Sequence, residues 1–321
     1  MKRLNKIFSI SLSIVMLLSL FACGNNSSSI KKITLASGGT SGTYYGFSGA
    51  IASRLNEVLN NDMRINVVST GASKINAQMV DTNDAQIAII QNDVMDYAYK
   101  ATDMFAGDEP MTTFSAIASV YPESIQIIAN KSITSIEQLK GKKVSVGDQG
   151  SGTEFNAKQI LEAYGMDIET DIVKNNQSFA DSCDGLKNGI LDAAFITAGH
   201  PTVAVTELAT NFDFNILPID SAHAEKLMSK YKFYATVNIE KDTYSVLTSD
   251  VPTVAVMATF IANNNLDEDT VYKFTKALFD EKANIIHQKA ALLDNATAIQ
   301  GISIPFHKGA EKYYREQGIL N

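Results

Sequence analysis

The chain has 321 residues, of which 45% are hydrophobic and 19% charged, and a formal net charge of −8. An acidic body of this kind argues against nucleic acid and against a polybasic membrane surface. Two cysteines, and four histidines (His200, His223, His287, His307) without metal-ligand spacing, give a metal centre no support.

The first element reads as a leader. Lys2, Arg3 and Lys6 make a basic start, residues 7–21 are apolar apart from serines, and Ala22 precedes Cys23. That is the pattern of a secretory signal peptide over residues 1–22. Its apolar run of about 15 residues falls short of the ~20 a membrane-spanning helix needs. Leu20-Phe21-Ala22-Cys23 resembles a bacterial lipobox, in which the Cys is lipidated and becomes the first residue. Phe21 is bulkier than usual there, and the alternative is a buried N-terminal helix with a chance Cys. Residues 23–30 then form a lipidated, flexible tether, since 24–29 hold only Gly, Asn and Ser. The expectation is an exported protein held by lipid on the outer face of the cytoplasmic membrane. Loss of the leader leaves 299 residues, room for two domains, and takes the net charge to −11. With Cys23 lipidated no disulfide is possible, and Cys183, in a segment of helical spacing, reads as a small buried hydrophobe.

The mature chain alternates short apolar runs with amphipathic segments. Residues 33–37 read as a strand. Residues 43–60 read as a helix, with Phe47, Ile51, Leu55 and Leu59 on one face. Strands at 65–69 and 86–90 alternate with helices at 74–80 and 92–99. This βαβαβα order points to an α/β protein with parallel strands covered by helices. Two extended runs follow, 114–121 and 124–130, interrupted by Pro122. Residues 135–139 read as a capped turn, Ser135 and Gln138 standing three apart, with Gly141 ending it. The second unit continues with a strand at 143–146, helices at 153–164 and 178–189, and a buried strand at 193–197. Helices at 201–210 and 221–231 flank an extended 215–219. A strand around 254–261 and helices across 267–287 finish the chain. No low-complexity linker separates the units, so strands rather than a floppy tether would join them.

One pattern occurs twice. A strand leads into Gly38-Gly39-Thr40-Ser41-Gly42-Thr43 and again into Gly147-Asp148-Gln149-Gly150-Ser151-Gly152-Thr153, each time before a helix. Glycines let backbone N–H groups approach a ligand. The first helical turn has N–H groups without intrahelical partners and carries the positive end of the macrodipole. Two facing turns of this kind make an anion site without a charged side chain. The other reading is that each Ser-Gly-Thr merely caps its helix. The mature chain has only Arg54, Arg64 and Arg315, none of them in these loops, so no arginine clamp competes with the backbone route. Enzyme signatures are absent. Thr153 stands where a P-loop needs Lys, no Gly-x-Ser-x-Gly surrounds Ser41 or Ser151, and no dinucleotide fingerprint occurs.

Gly38 through Tyr45, Gln91-Asn92-Asp93, Tyr121-Pro122-Glu123, Gly147 through Thr153 and Thr197-Ala198-Gly199-His200-Pro201, in that order, resemble the TAXI family, the solute receptors of ion-gradient-driven TRAP transporters. The resemblance covers nearly the whole mature chain. It implies a type II periplasmic-binding-protein fold of two α/β lobes, residues 31–121 plus 240–321 and residues 122–239, with hinge strands and a ligand cleft. It implies a small carboxylate or amino acid such as glutamate or glutamine as ligand, a TRAP-type permease as partner, no cofactor and no enzymatic activity. Carried over, Gly39, Thr40, Ser41, Gly42, Thr43 and Tyr44 would line one wall, and Gly150, Ser151, Gly152 and Thr153 the other. Gln91, Asn92 and Asp93 leave a strand end and would point into the cleft. Asp93 would accept a ligand ammonium or, alternatively, complement its helix dipole. Tyr121 would stack on the ligand, and Glu123 reads as hinge or surface. Gly199 matches the family turn, whereas His200 is atypical and is either a ligand donor or exposed. The competing classes are an ABC-type receptor for another small anion and an exported enzyme.

Overall fold

The structure, a computed structural model, describes residues 30–321. The expected signal peptide, Cys23 and the expected tether as far as residue 29 lie outside the described residues. Among those described, no helix is long and apolar enough to cross a membrane, and no group of three or more His, Cys, Asp and Glu side chains could hold a metal ion.

The element order is β1 (Lys31–Ala36), α1 (Thr43–Val58), β2 (Met63–Val68), α2 (Ser73–Asp81), β3 (Ile87–Gln91), α3 (Asn92–Lys100), β4 (Phe114–Asn130), β5 (Lys143–Ser145), α4 (Gly152–Ala163), β6 (Val173–Asn175), α5 (Phe179–Lys187), β7 (Ala193–Ala198), α6 (Val203–Asn211), β8 (Phe214–Ile216), α7 (Ser221–Lys230), β9 (Ala235–Ile239), β10 (Val251–Asn263), α8 (Glu268–Asp280) and α9 (Lys308–Glu316). The strands form one mixed sheet in the order β2-β1-β3-β10-β4-β7-β5-β6, with β8 on β4 and β9 on β10.

Two parallel triplets are embedded in that sheet. β1 pairs in parallel with both β2 and β3, and β5 in parallel with both β6 and β7. In each triplet the first strand is central, and the helix after it starts at a Ser-Gly-Thr turn. The long strands β4 and β10 run antiparallel to their neighbours and join the triplets. The buried apolar residues separate accordingly. Leu35, Phe47, Ile51, Leu55 and Tyr121 belong to one cluster, and Ile125, Val144, Phe195 and Val256 to another. Each half has a further cluster on its other face, around Ile90 and Val94 in one case and Ile196 and Leu208 in the other.

Three sequence expectations change. Pro122 does not interrupt β4, which runs unbroken for 17 residues. Opposite it, Met257 turns its N–H to Asn92 Oδ1 (3.0 Å), away from β4, so this rung asks no N–H of a proline. Ser135 makes no side-chain cap, because Gln138 Oε1 instead accepts from Thr134 N at 2.8 Å and the segment is a single 3₁₀ turn, Ile136–Leu139. The sequence also left β6, β9 and α9 unread. β6 is three residues long with Val173 exposed, β9 is an exposed edge, and α9 is largely charged. Cys183 is buried in α5 as expected, and burial pushes its thiol up to about 12.

Candidate functional site

The two repeated turns meet across a small cavity of about 50 Å³. Gly39, Gly42, Thr43 and Tyr44 line it from the first turn, and Gly152 and Thr153 from the second. A third helix start, Ala72–Ser73 at the head of α2, completes the ring. It follows β2 through Ser69-Thr70-Gly71, a third strand-to-helix turn of small residues that the sequence reading passed over. Neither α1 nor α2 carries a side-chain cap. Their first-turn N–H groups therefore have no intrahelical partner, and the dipole makes each start attractive to an anion. The cavity is several times the 10–15 Å³ a single water requires. No lysine or arginine lines it.

Two side chains in this wall are acceptors. Gln91 is 3% exposed, and its Nε2 donates to Asn156 Oδ1 at 2.9 Å. Its Oε1 has no hydrogen-bond partner among the described residues. Glu123 is buried and accepts from the Tyr44 hydroxyl at 2.5 Å. Burial, reinforced by the Asp93 charge and opposed by the Tyr44 bond, holds the Glu123 carboxyl well above the usual range. The sequence reading placed Glu123 at the hinge or surface. It sits on the crossing strand β4 but faces the cavity, a position signalled only by a lone carboxyl in the apolar run 114–130.

The remaining candidates stand outside the lining, and the structure gives each other contacts. Thr40 is exposed and Ser41 half-buried, with the Ser41 carbonyl accepting from Ala204 N at 3.3 Å. Asn92 pins Met257 N and the Gly301 carbonyl. Asp93 accepts from Val94 N (2.9 Å) and Asn156 Nδ2 (3.0 Å), and burial raises its pKa to about 6. The Tyr121 ring packs edge-on against Phe47 at 5.2 Å between centroids, within the core. Gly150 N donates to Glu154 Oε2 at 2.6 Å, and Ser151 Oγ accepts from Glu154 N at 3.2 Å. Ser151 thus caps α4, and Glu154 folds back one residue beyond the N-cap, a variant of the capping box that the sequence reading assigned to Ser135 and Gln138. The Gly199 carbonyl accepts from Thr43 Oγ1 at 2.8 Å, a bond between the two halves. His200 places Nδ1 2.8 Å from Ser124 Oγ and Nε2 3.3 Å from Glu240, while its carbonyl takes Lys289 Nζ at 2.6 Å. Burial, with Lys289 nearby, lowers the His200 pKa.

A parallel triplet on either side of antiparallel crossing strands, with a cavity at the strand ends, is the architecture of periplasmic binding proteins. PhnD1 from Prochlorococcus marinus (MIT 9301), solved in complex with methylphosphonate, aligns over 90% of this chain and 99% of its own at 12% identity and a TM-score of 0.52. A Streptococcus mutans structure, from a description of glutathione import via GshT and the cystine ABC importer TcyBC, aligns over 88% and 99% at 12% identity and a TM-score of 0.51. A structure described as a periplasmic transporter gives 15% identity over 89% and 92%, with a TM-score of 0.52. The chain itself belongs to the NMT1-like family, whose sequence model matches residues 35–318.

Proposed function

We propose that this chain is a solute-binding receptor, not an enzyme, which captures a small anion outside the cytoplasmic membrane and hands it to a membrane transporter. One observation carries the reading: three helix starts converge on a small cavity whose wall includes a buried acceptor without a partner among the described residues, Gln91 Oε1. A partly buried helix start contributes up to ~2 kcal/mol to an anion, and each hydrogen bond to a charged group about 1.5–3 kcal/mol. Gln91 Oε1 and the Glu123 carboxyl ask in turn for a donor. The ligand class is therefore a small carboxylate or comparable oxyanion bearing an ammonium, hydroxyl or amide donor, an amino acid among them. Glu123 takes the ammonium-facing role that the sequence offered to Asp93.

In this reading the lobes are residues 31–121 plus 240–321 and residues 122–239, moving about β4 and β10. Lipid on Cys23 holds the receptor at the membrane. The order of five motifs resembling TAXI receptors favours a TRAP-type permease as partner. A second reading, an ABC-type importer, draws on the cystine ABC importer named with the Streptococcus mutans structure. Uptake by membrane vesicles, driven by an ion gradient or by ATP, separates the two.

The primary test is calorimetry and thermal shift on the mature chain with panels of amino acids, small carboxylates, phosphonates and sulfonates. Saturable heat and a rise in Tm are expected, because a ligand bound only to the native state stabilises it. A panel with neither response overturns the receptor reading.

A further inference from the structure

Two side chains that line the cavity, Gln91 and Thr197, point a donor at the same atom. Gln91 Nε2 and Thr197 Oγ1 both donate to Asn156 Oδ1, at 2.9 and 3.1 Å. Asn156 lies in α4 and is fully buried. Its Nδ2 donates in turn to Asp93 Oδ2 (3.0 Å) and to Tyr234 Oη (2.7 Å). A side-chain amide offers two N–H donors and an oxygen with two lone pairs, so every bond Asn156 can make is made.

The direction of these bonds is set from one end. Asp93 accepts on both oxygens, from Val94 N and from Asn156. A pKa of about 6 leaves it ionised at neutral pH, and a carboxylate has no proton to give. Tyr234 is less strict. Its hydroxyl accepts from Asn156 while donating to Gln159 Oε1 at 2.6 Å, and a hydroxyl can exchange these roles. Reversing the Asn156 amide would set its oxygen against the Asp93 carboxylate. Nδ2 therefore faces Asp93, Oδ1 faces the cavity wall, and both wall groups must spend a donor on it. What they keep is acceptors. Gln91 turns Oε1 to Gly152, another lining residue, where a Cβ would sit 1.5 Å from that oxygen. There Oε1 has no hydrogen-bond partner among the described residues. Thr197 keeps its lone pairs.

We propose that Asn156, aligned by Asp93, is a positioning residue that makes acceptors of Gln91 and Thr197, so that the cavity selects a solute with an N–H or O–H donor at this wall and rejects one with a carbonyl oxygen there. Neither Asn156 nor Asp93 lines the cavity; both act through Gln91 and Thr197. This rests on the receptor reading above and deepens it.

The test compares solutes that differ in one donor: alanine and lactate with pyruvate, and glutamate and 2-hydroxyglutarate with 2-oxoglutarate. Any other solute that leads the panel is compared in the same way with its analogue carrying a carbonyl oxygen in place of the donor. Affinities are measured by calorimetry at neutral pH on the mature wild type, Asp93→Asn, Asn156→Ala and Tyr234→Phe, with circular dichroism confirming each fold. The wild type should favour the amino or hydroxy acid over its oxo acid by about tenfold or more. Asp93→Asn keeps the shape but frees the Asn156 amide to reverse. The preference should then fall by about fivefold or more, with the oxo acid bound no more weakly than by the wild type. Asn156→Ala should abolish the preference. Tyr234→Phe removes a bond to the same nitrogen but leaves Asp93 in place, so it should lower Tm and keep the preference. A merely structural role would weaken both members of a pair together in all three variants. That result, a wild type that binds an oxo acid as tightly as its partners, or a best solute without any N–H or O–H donor would each overturn the assignment. A wild type that binds nothing in any panel overturns the receptor reading itself, a different result.

Discussion

The two Ser-Gly-Thr turns share a sequence and a topological position, yet they end in different chemistry. In the second, Ser151 is the N-cap and α4 starts at Gly152. In the first, Gly42 is the N-cap and α1 starts one position later, at Thr43. The residue three places after the serine makes the difference. Glu154 reaches back to Gly150 N and closes a box, whereas Tyr44 extends instead to Glu123. The second turn therefore spends its own side chains on the N–H groups of Gly150 and Glu154, while the first spends Thr43 on the opposite half of the molecule. A repeated triplet marks where two helices begin, and the residue beyond it decides which donors stay free.

Each turn is also tied to a buried carboxyl, and here the largest effects are expected. Tyr44 of the first holds Glu123, and Asn156 of the helix after the second holds Asp93. Both acids are raised by burial. A raised acid keeps its proton to higher pH when folded than when unfolded. Its contribution is fully present below the unfolded value and is lost as pH rises through the folded one. For Asp93 the window runs from ~3.9 when unfolded to about 6, on the order of 3 kcal/mol at 1.36 kcal/mol per unit. Glu123 opens its window near 4.5 and extends it through its own raised value. Thermal melts from pH 4 to 8 should show the wild type losing stability across this range, with Asp93→Asn and Glu123→Gln each flattening its own part. A stability that rises with pH in both variants and wild type would dissolve the link between turns and acids.

Glycine substitutions come next. A Cβ on Gly152 would sit 1.5 Å from Gln91 Oε1 and 3.2 Å from Val94 Cγ2, while one on Gly42 meets nothing nearer than 3.4 Å. Gln91 is held by Asn156, so it cannot swing aside without losing that bond. Gly152→Ala should cost about 1–3 kcal/mol of stability and at least tenfold in ligand affinity, with Gly42→Ala well below both. Equal losses would show that the turns are packed alike. Thr43→Val removes the shorter of two bonds to the buried Gly199 carbonyl, with Thr202 Oγ1 still donating at 3.2 Å, a cost of about 0.5–1.5 kcal/mol that falls on the contact between the two halves and so on affinity.

The alternation of strand and helix was legible in the sequence because apolar periodicity is local. β1, α1, β3 and β7 lie within two or three residues of their expected ends. The convergence of turns was half legible, since a doubled motif can be counted but its facing partner cannot. Glu123 and Ser73 reach the cavity only because β4 crosses between the triplets and α2 follows an outer strand of the first. Neither fact is written in the neighbouring residues. Asp93, Tyr121 and His200 sit where the family order placed them along the chain, but their side chains turn to Asn156, Phe47 and Ser124. Position along the chain was readable, and orientation was not, because packing against distant residues sets it.

The smallest effect isolates the cap. Ser151 Oγ accepts from Glu154 N, and removal of an N-cap hydroxyl typically costs ~1 kcal/mol. If the hydroxyl's work is finished there, Ser151→Ala should lower Tm by a few degrees and change ligand affinity less than twofold. Thr43→Val, from the matching triplet, should do the reverse, with affinity falling more than stability. A double variant should then be additive in stability, since the two side chains have no partner in common. If Ser151→Ala instead weakens binding as much as Thr43→Val, the serine serves the ligand and not the helix. The two turns would then be functional equals, and the shift of one residue between their caps would carry no chemical consequence.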